Sequence, residues 1–223
     1  MKIKHLFTMV TAVGLMGLIG CQKDPSTSGL SSEYLVYTAH DTSADFATID
    51  TYYIPDSILL IGSHAVNETG DRVSKYWNDA DALSLINTIV SEMNSLGYTR
   101  IDEGALRQTA DVGFQVSYVE ETSYFTGYSN PYWWWDYPYY WSPGYWGYWS
   151  GWYYPFVVQY SYTTGSLLVE MVDLKKGDPT TRKLPILWNS YISGLVRNNK
   201  SINIERASEA LKQAFLQSPY LKK

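Results

Sequence analysis

Between residues 124 and 154 the chain runs through Tyr132-Trp133-Trp134-Trp135, Tyr139-Tyr140-Trp141, Tyr145-Trp146, Tyr148-Trp149 and Trp152-Tyr153-Tyr154, a stretch that no regular element accommodates. Pro131, Pro138, Pro143 and Pro155 remove backbone donors and, with Gly144, Gly147 and Gly151, forbid a continuous helix. The segment therefore reads as a long loop or irregular hairpin extension, an insertion at 122–155 in a larger domain. Loops of this length inside compact domains are usually functional or disordered. Disordered chains are poor in aromatic residues, so the ring density argues against disorder.

The charge pattern narrows the chemistry. From residue 122 to residue 169 the only charged side chain is Asp136. Aromatic platforms bind single-stranded nucleic acid only beside basic groups that neutralise phosphate, and here there are none. Three arrangements remain open. The rings can pack on one another and on a sheet as a second core, with hydroxyl and indole N–H groups finding partners. Exposed rings can lie flat against sugars, with Asp136, Asn130 and tyrosine hydroxyls orienting the ligand. Exposed Trp and Tyr can also sit at a membrane headgroup interface. Under the last two, the candidate ligand or interface contacts are Trp133, Trp134, Trp135, Asp136, Trp141, Trp146, Trp149 and Trp152.

The N-terminus carries an address. Lys2 and Lys4 precede an uncharged apolar run over residues 6–20, the anatomy of a secretory signal and shorter than a membrane span. The run ends in Leu18-Ile19-Gly20-Cys21, which resembles the lipobox of bacterial lipoproteins, with the sole cysteine at the acylation position. Residues 1–20 are thus expected to be a signal peptide and Cys21 the attachment point of acyl chains. Gln22, in place of aspartate, resembles permission for transfer to the outer membrane; periplasmic and surface display both stay open. Residues 21–32, with Pro25, Gly29 and several serines, read as a flexible tether. With no second cysteine a disulfide is excluded, so packing must hold the domain at 33–223 together. The net charge of −5 gives no support to nucleic acid as a partner. The expected partners are the membrane, through the lipid, and an envelope protein or glycan.

Periodicity outlines the domain. Leu83, Ile86, Val90 and Met93, widened by Ile89 and Leu96, predict an amphipathic helix at 78–96, capped by Asn78 or Asp79 and ended by Gly97. Ile204, Ala207, Leu211, Ala214 and Phe215 predict a second at 203–216. Strands are expected at 34–38, 52–54, 98–101, 112–120 and 184–192, and a hairpin of 156–162 with 167–174 about a Thr164-Gly165 turn. Alternation of Val112, Phe114, Val116 and Tyr118 predicts one buried face. The expected fold is a single α+β domain, a largely antiparallel (mixed) sheet with two helices on one face.

Catalytic patterns are missing. Beyond Cys21 the histidines are His40 and His64, without the ligand clusters of a zinc site. Asp41, Asp45, Asp50 and Asp56 suit turns better than calcium, since no Asp-x-Asp-x-Asp-Gly spacing occurs. Asn78, Asp79 and Asp81 complement a helix N-terminus. Neighbouring Glu120 and Glu121 would point to opposite faces of a strand and cannot flank one bond. Neither a nucleophile elbow, a phosphate-binding glycine loop nor a His-Glu-x-x-His is present. No metal, cofactor or enzymatic activity is expected.

One set of residues resembles a known family. A first strand followed by Asp45-Phe46 and Tyr52, a helix ending Leu96-Gly97-Tyr98, and a strand opening at Asp111 precede the aromatic insertion. Tyr162-Thr163-Thr164-Gly165-Ser166-Leu167 then leads to Val172-Asp173 and a final helix, with Trp188 and Ser190 between. The order is similar to bacterial lipoproteins grouped as domain of unknown function 4136. The resemblance implies an α+β envelope domain and carries over no catalytic residues. The tryptophan content of the insertion departs from the glycine-richer pattern of that family.

Overall fold

The computed structural model describes residues 34–70, 72–101, 109–120, 149, 151–158, 165–197 and 201–223. At its centre is β6 (Val112–Val119), which reads as an apolar strand and pairs antiparallel with β8 (Ser166–Asp173) from Val112↔Asp173 to Val119↔Ser166. On the far side of β8 lies antiparallel β9 (Lys183–Ser193), and beyond it β1 (Leu35–His40), also antiparallel. The other edge of β6 is shared. Its first half pairs parallel with β2 (Thr51–Tyr53), and its second half with β3 (Ile58–Val66). β4 (Arg72–Trp77) returns antiparallel along β3, β5 (Thr99–Arg100) lies parallel to β2, and β7 (Gly151–Tyr153) lies parallel to the start of β9. The result is a mixed sheet of 9 strands in a single α+β domain. Its long ladders are antiparallel, whereas each parallel one is short. A separate small ladder joins β10 (Val196–Arg197) to β11 (Ser201–Ile202).

Among the described residues two α-helices complete the domain. α1 (Ala80–Ser95) starts where the Asp79 carboxylate accepts from the Asp81 and Ala82 amides at 3.0 and 3.1 Å, and stops at Gly97, whose φ of +98° suits glycine. Its buried stripe is Ala82, Leu85, Ile86, Ile89 and Met93, rotated from the expected one so that Leu83 stays 36% exposed. α2 (Ile204–Leu216) is capped by Asn203 and buries Ala207, Ala210, Leu211, Ala214 and Phe215. Both helices join Val112, Phe114, Val116, Val169, Met171 and Trp188 in the larger core. Trp188 donates its indole N–H to Ser218 Oγ at 2.9 Å and lies against Phe215. Among the described residues no helix is long and apolar enough to cross a membrane.

Two expectations need correction. Every residue of β6 is buried, not one face only, because a second apolar cluster covers the opposite side of the sheet; it holds Leu59, Ile61, Val119, Leu168, Val172, Ile186 and Tyr191. A strand buried on both faces cannot be recognised by alternation. The hairpin of 156–162 with 167–174 does not form about Gly165. A strand has two edges, and both edges of β8 are taken by β6 and β9; residues 155–158 are not strand, and 159–164 lie outside the described residues. Gly165 instead returns the chain to β6, donating its N–H to Val119 O at 2.8 Å with φ +80°. The hairpin that does form, β3 with β4, has its own turn signal in Asn67-Glu68-Thr69-Gly70, where Asn67 Oδ1 accepts from the Thr69 amide and hydroxyl.

Candidate functional site

The end of the aromatic insertion is built into the sheet. β7 borders Lys183, Leu184 and Pro185 of β9, which places Trp152 in the second cluster with no exposed surface. Gly177, in the connection from β8 to β9, lies directly beneath the Trp149 ring, so close that a Cβ there would collide with Cη2. Trp149 is thus partly buried against the same cluster. Tyr154, 6% exposed, packs edge-on against Phe156 at 5.5 Å between centroids.

What these rings meet is an acidic residue in an apolar strand. Glu170 sits at the middle of β8 with no solvent exposure. Its Oε1 accepts from Trp152 Nε1 at 3.1 Å and from the Tyr154 hydroxyl in a short hydrogen bond. The register sets Gln115 on β6 and Asn189 on β9 on either side of it, a buried polar row across three strands. Gln115 Nε2 donates to Val116 O at 3.1 Å. Next to that row, the Ser166 and Tyr191 hydroxyls share a hydrogen bond of 2.8 Å. A carboxyl at this depth is tolerable only with hydrogen-bond partners, and the insertion supplies two of them.

The other candidates fall in different places. Trp133, Trp134, Trp135, Asp136, Trp141 and Trp146 lie outside the described residues, as does Cys21. Trp152, proposed from sequence as a ligand contact, is instead a core residue, because its indole N–H is satisfied inside the sheet layer. Sequence reading overlooked Glu170. The signal was present: in Leu167-Leu168-Val169-Glu170-Met171-Val172 one acid interrupts an apolar strand.

The aspartates singled out earlier have structural partners. Asp45, Asp111 and Asp173, all within the family-like stretches, border one cavity of about 150 Å³ with Lys175 and Lys176. Asp45 caps the 3-10 turn at Phe46–Thr48, and Asp173 Oδ1 accepts from the Lys175 and Lys176 amides at 2.8 and 2.9 Å. Asp111 Oδ2 accepts from the Asp50 and Thr51 amides and the Thr51 hydroxyl at 2.9 to 3.0 Å. Burial pushes the Asp111 carboxyl upward, but those hydrogen bonds and Lys175 outweigh it and hold it below its usual range. Asp41 closes a turn onto Ser43, Asp50 pairs with Lys223, and Asp56 pairs with Arg100 at 2.7 Å. His40 stacks on Tyr220 at 3.7 Å, and burial lowers its pKa. Among the described residues no group of three or more His, Cys, Asp and Glu is placed to hold a metal.

Comparison with known proteins fits this architecture. The family model for DUF4136, a domain of unknown function, matches residues 36–220. A crystal structure of a DUF4136 family protein from Bacteroides thetaiotaomicron is 43% identical, covering 86% of this chain and 99% of its own, with a TM-score of 0.73. A PelC dodecamer from Paraburkholderia phytofirmans is also similar, at 14% identity, 85% and 99% coverage and a TM-score of 0.37, too distant to inform the site. No curated protein matches. From the match over nearly the whole domain and the close solved relative, the chain belongs to the DUF4136 family.

Proposed function

We propose that this protein is a lipoprotein of the outer membrane, anchored through Cys21, with a noncatalytic binding or scaffolding role in the cell envelope. Its sheet serves as a fixed mount for the aromatic insertion. In this reading both helices cover one face of the sheet, and the insertion and its landing site cover the other. The observation that carries the proposal is the attachment of the insertion's end. Trp152 and Tyr154 converge on buried Glu170, and Trp149 rests on Gly177, so the segment leaves the domain from a rigid base. Anchoring one end of a segment reduces the ordering entropy it has left to lose on binding. Support for the noncatalytic part comes from Asp45, Asp56, Asp111 and Asp173, which are engaged in a cap, an ion pair and backbone hydrogen bonds.

The test compares acrylamide quenching of the full chain with that of a variant in which Trp133, Trp134, Trp135, Trp141 and Trp146 are all Phe. The difference isolates those indoles from Trp77, Trp149, Trp152 and Trp188. Strong quenching of the difference signal is expected for a presented platform. Quenching as weak as that of the retained buried indoles would reject it and make the insertion a second core. Acyl labelling tests the anchor: Cys21→Ser is expected to lose it, and normal labelling of that variant would overturn the assignment.

A further inference from the structure

A second site lies away from the insertion, where the β3–β4 hairpin meets the start of α1. β3, β4 and β6 carry Leu60, Lys75 and Tyr118 in one row, since Leu60 pairs with both Lys75 and Tyr118. Tyr76, Trp77, Asn78, Asp79, Glu120 and Ile202 line the rest of an open groove of about 360 Å³, within the size range of small-ligand sites. Trp77 and Tyr118 meet edge to face at 5.9 Å, and Trp77 is held in place by its N–H bond to Asp79 Oδ1 at 2.6 Å. Asp79 is already engaged as the cap of α1.

The polar complement of this groove is distinctive. Among the described residues the side chains of Lys75, Asn78, Tyr118 and Glu120 make no hydrogen bond or ion pair within the protein. Together they offer an ammonium that only donates, a carboxylate that only accepts, and an amide and a phenol that do both. The lining carries one ammonium, Lys75, and two carboxylates, Glu120 and the capping Asp79, so an anionic ligand is disfavoured. A neutral polyol suits this set, because each of its hydroxyls both donates and accepts. A flat C–H face would match the aromatic wall, which a linear polyol lacks and a pyranose ring has.

We propose that this groove binds a neutral carbohydrate, its ring against Trp77, which Tyr118 backs from the core, and its hydroxyls on Lys75, Asn78 and Glu120. The proposal does not depend on the insertion being exposed. The test is saturation-transfer difference NMR with four separate probes, maltose, cellobiose, lactose and N,N′-diacetylchitobiose. It uses the full-length chain in a detergent without a sugar headgroup. Transfer to the ring protons of at least one probe is expected. Lys75 is exposed and Glu120 half-exposed, so Lys75→Ala with Glu120→Gln leaves the core intact. That double variant is expected to weaken binding at least tenfold, whereas serine at Trp133, Trp134 and Trp135 is expected to leave it unchanged. Absence of transfer to all four probes, transfer undiminished in the double variant, or transfer lost only in the insertion variant would each overturn the proposal.

Discussion

Trp152→Ala is the most direct probe of how the insertion is attached. The side chain has no exposed surface and lies among Leu168, Val172, Leu184 and Ile186. Truncating a buried Trp to Ala costs about 3–5 kcal/mol through lost burial and the cavity left behind. Glu170 Oε1 also loses one of its donors, though Tyr154 remains on the same oxygen. A loss of about 4 kcal/mol is therefore expected; for a domain of this length it lowers Tm by roughly 8–16 °C. Trp152→Phe separates the two contributions, since it keeps most of the ring volume and removes the N–H; about 1 kcal/mol, the net worth of one hydrogen bond, is expected because Tyr154 still donates to the same oxygen. Thermal unfolding followed by far-UV circular dichroism reads both, independently of tryptophan emission. Were Trp152→Ala to lose less than about 1 kcal/mol, the residue would not be part of the core and the mount would not exist as described.

Other perturbations test separate parts of the structure. Gly177→Ala forces the Trp149 ring off the backbone beneath it, so increased acrylamide quenching and a lower Tm are expected; an unchanged protein would mean that Trp149 does not rest there. Asp111 has a depressed folded pKa, so its contribution is present above the unfolded value of about 4 and is lost as pH falls through the folded one. Asp111→Asn is expected to be less stable at neutral pH and to show a shallower acid limb, and an acid limb parallel to that of the wild type would refute the assignment. Tyr98 is pushed up to about 12 by burial, and its hydroxyl donates to Leu221 O at 2.8 Å. Its unfolded pKa is about 10, so the stability it contributes is complete below that pH and declines towards 12. In urea titrations at several pH values, the advantage of the wild type over Tyr98→Phe is expected to shrink across that window, and a constant difference would argue against it.

The elements that read most clearly from sequence are those set by local free energies. Asp79 and Asn203 cap helices because their side chains reach amides two or three residues on, and Gly97 and Gly165 adopt conformations that other residues resist. The family-like residues behaved similarly: Asp45 and Asp173 bond to nearby backbone, so their spacing carries their role. Strand pairing was less legible. The β3–β4 hairpin was overlooked and a hairpin about Gly165 was expected, because a turn signal does not say which edge of a strand is already occupied.

The sequence by itself determined the two helices, the start and glycine end of the first, and a chain whose packing must do without disulfides. Tertiary structure decided which strands lie beside β6, and hence that both of its faces are buried. It also decided what Glu170 meets. Within β8 the acid looks like a mistake in an apolar strand; it becomes an attachment point only because β7 docks on β9 and brings Trp152 and Tyr154 across the sheet. The groove at Trp77 likewise joins residues from β3, β4 and β6, the last about forty positions away in the chain. Caps and periodicity act over a few residues, so they are written locally, whereas a buried charge or an open groove is defined by neighbours that only the folded chain brings together.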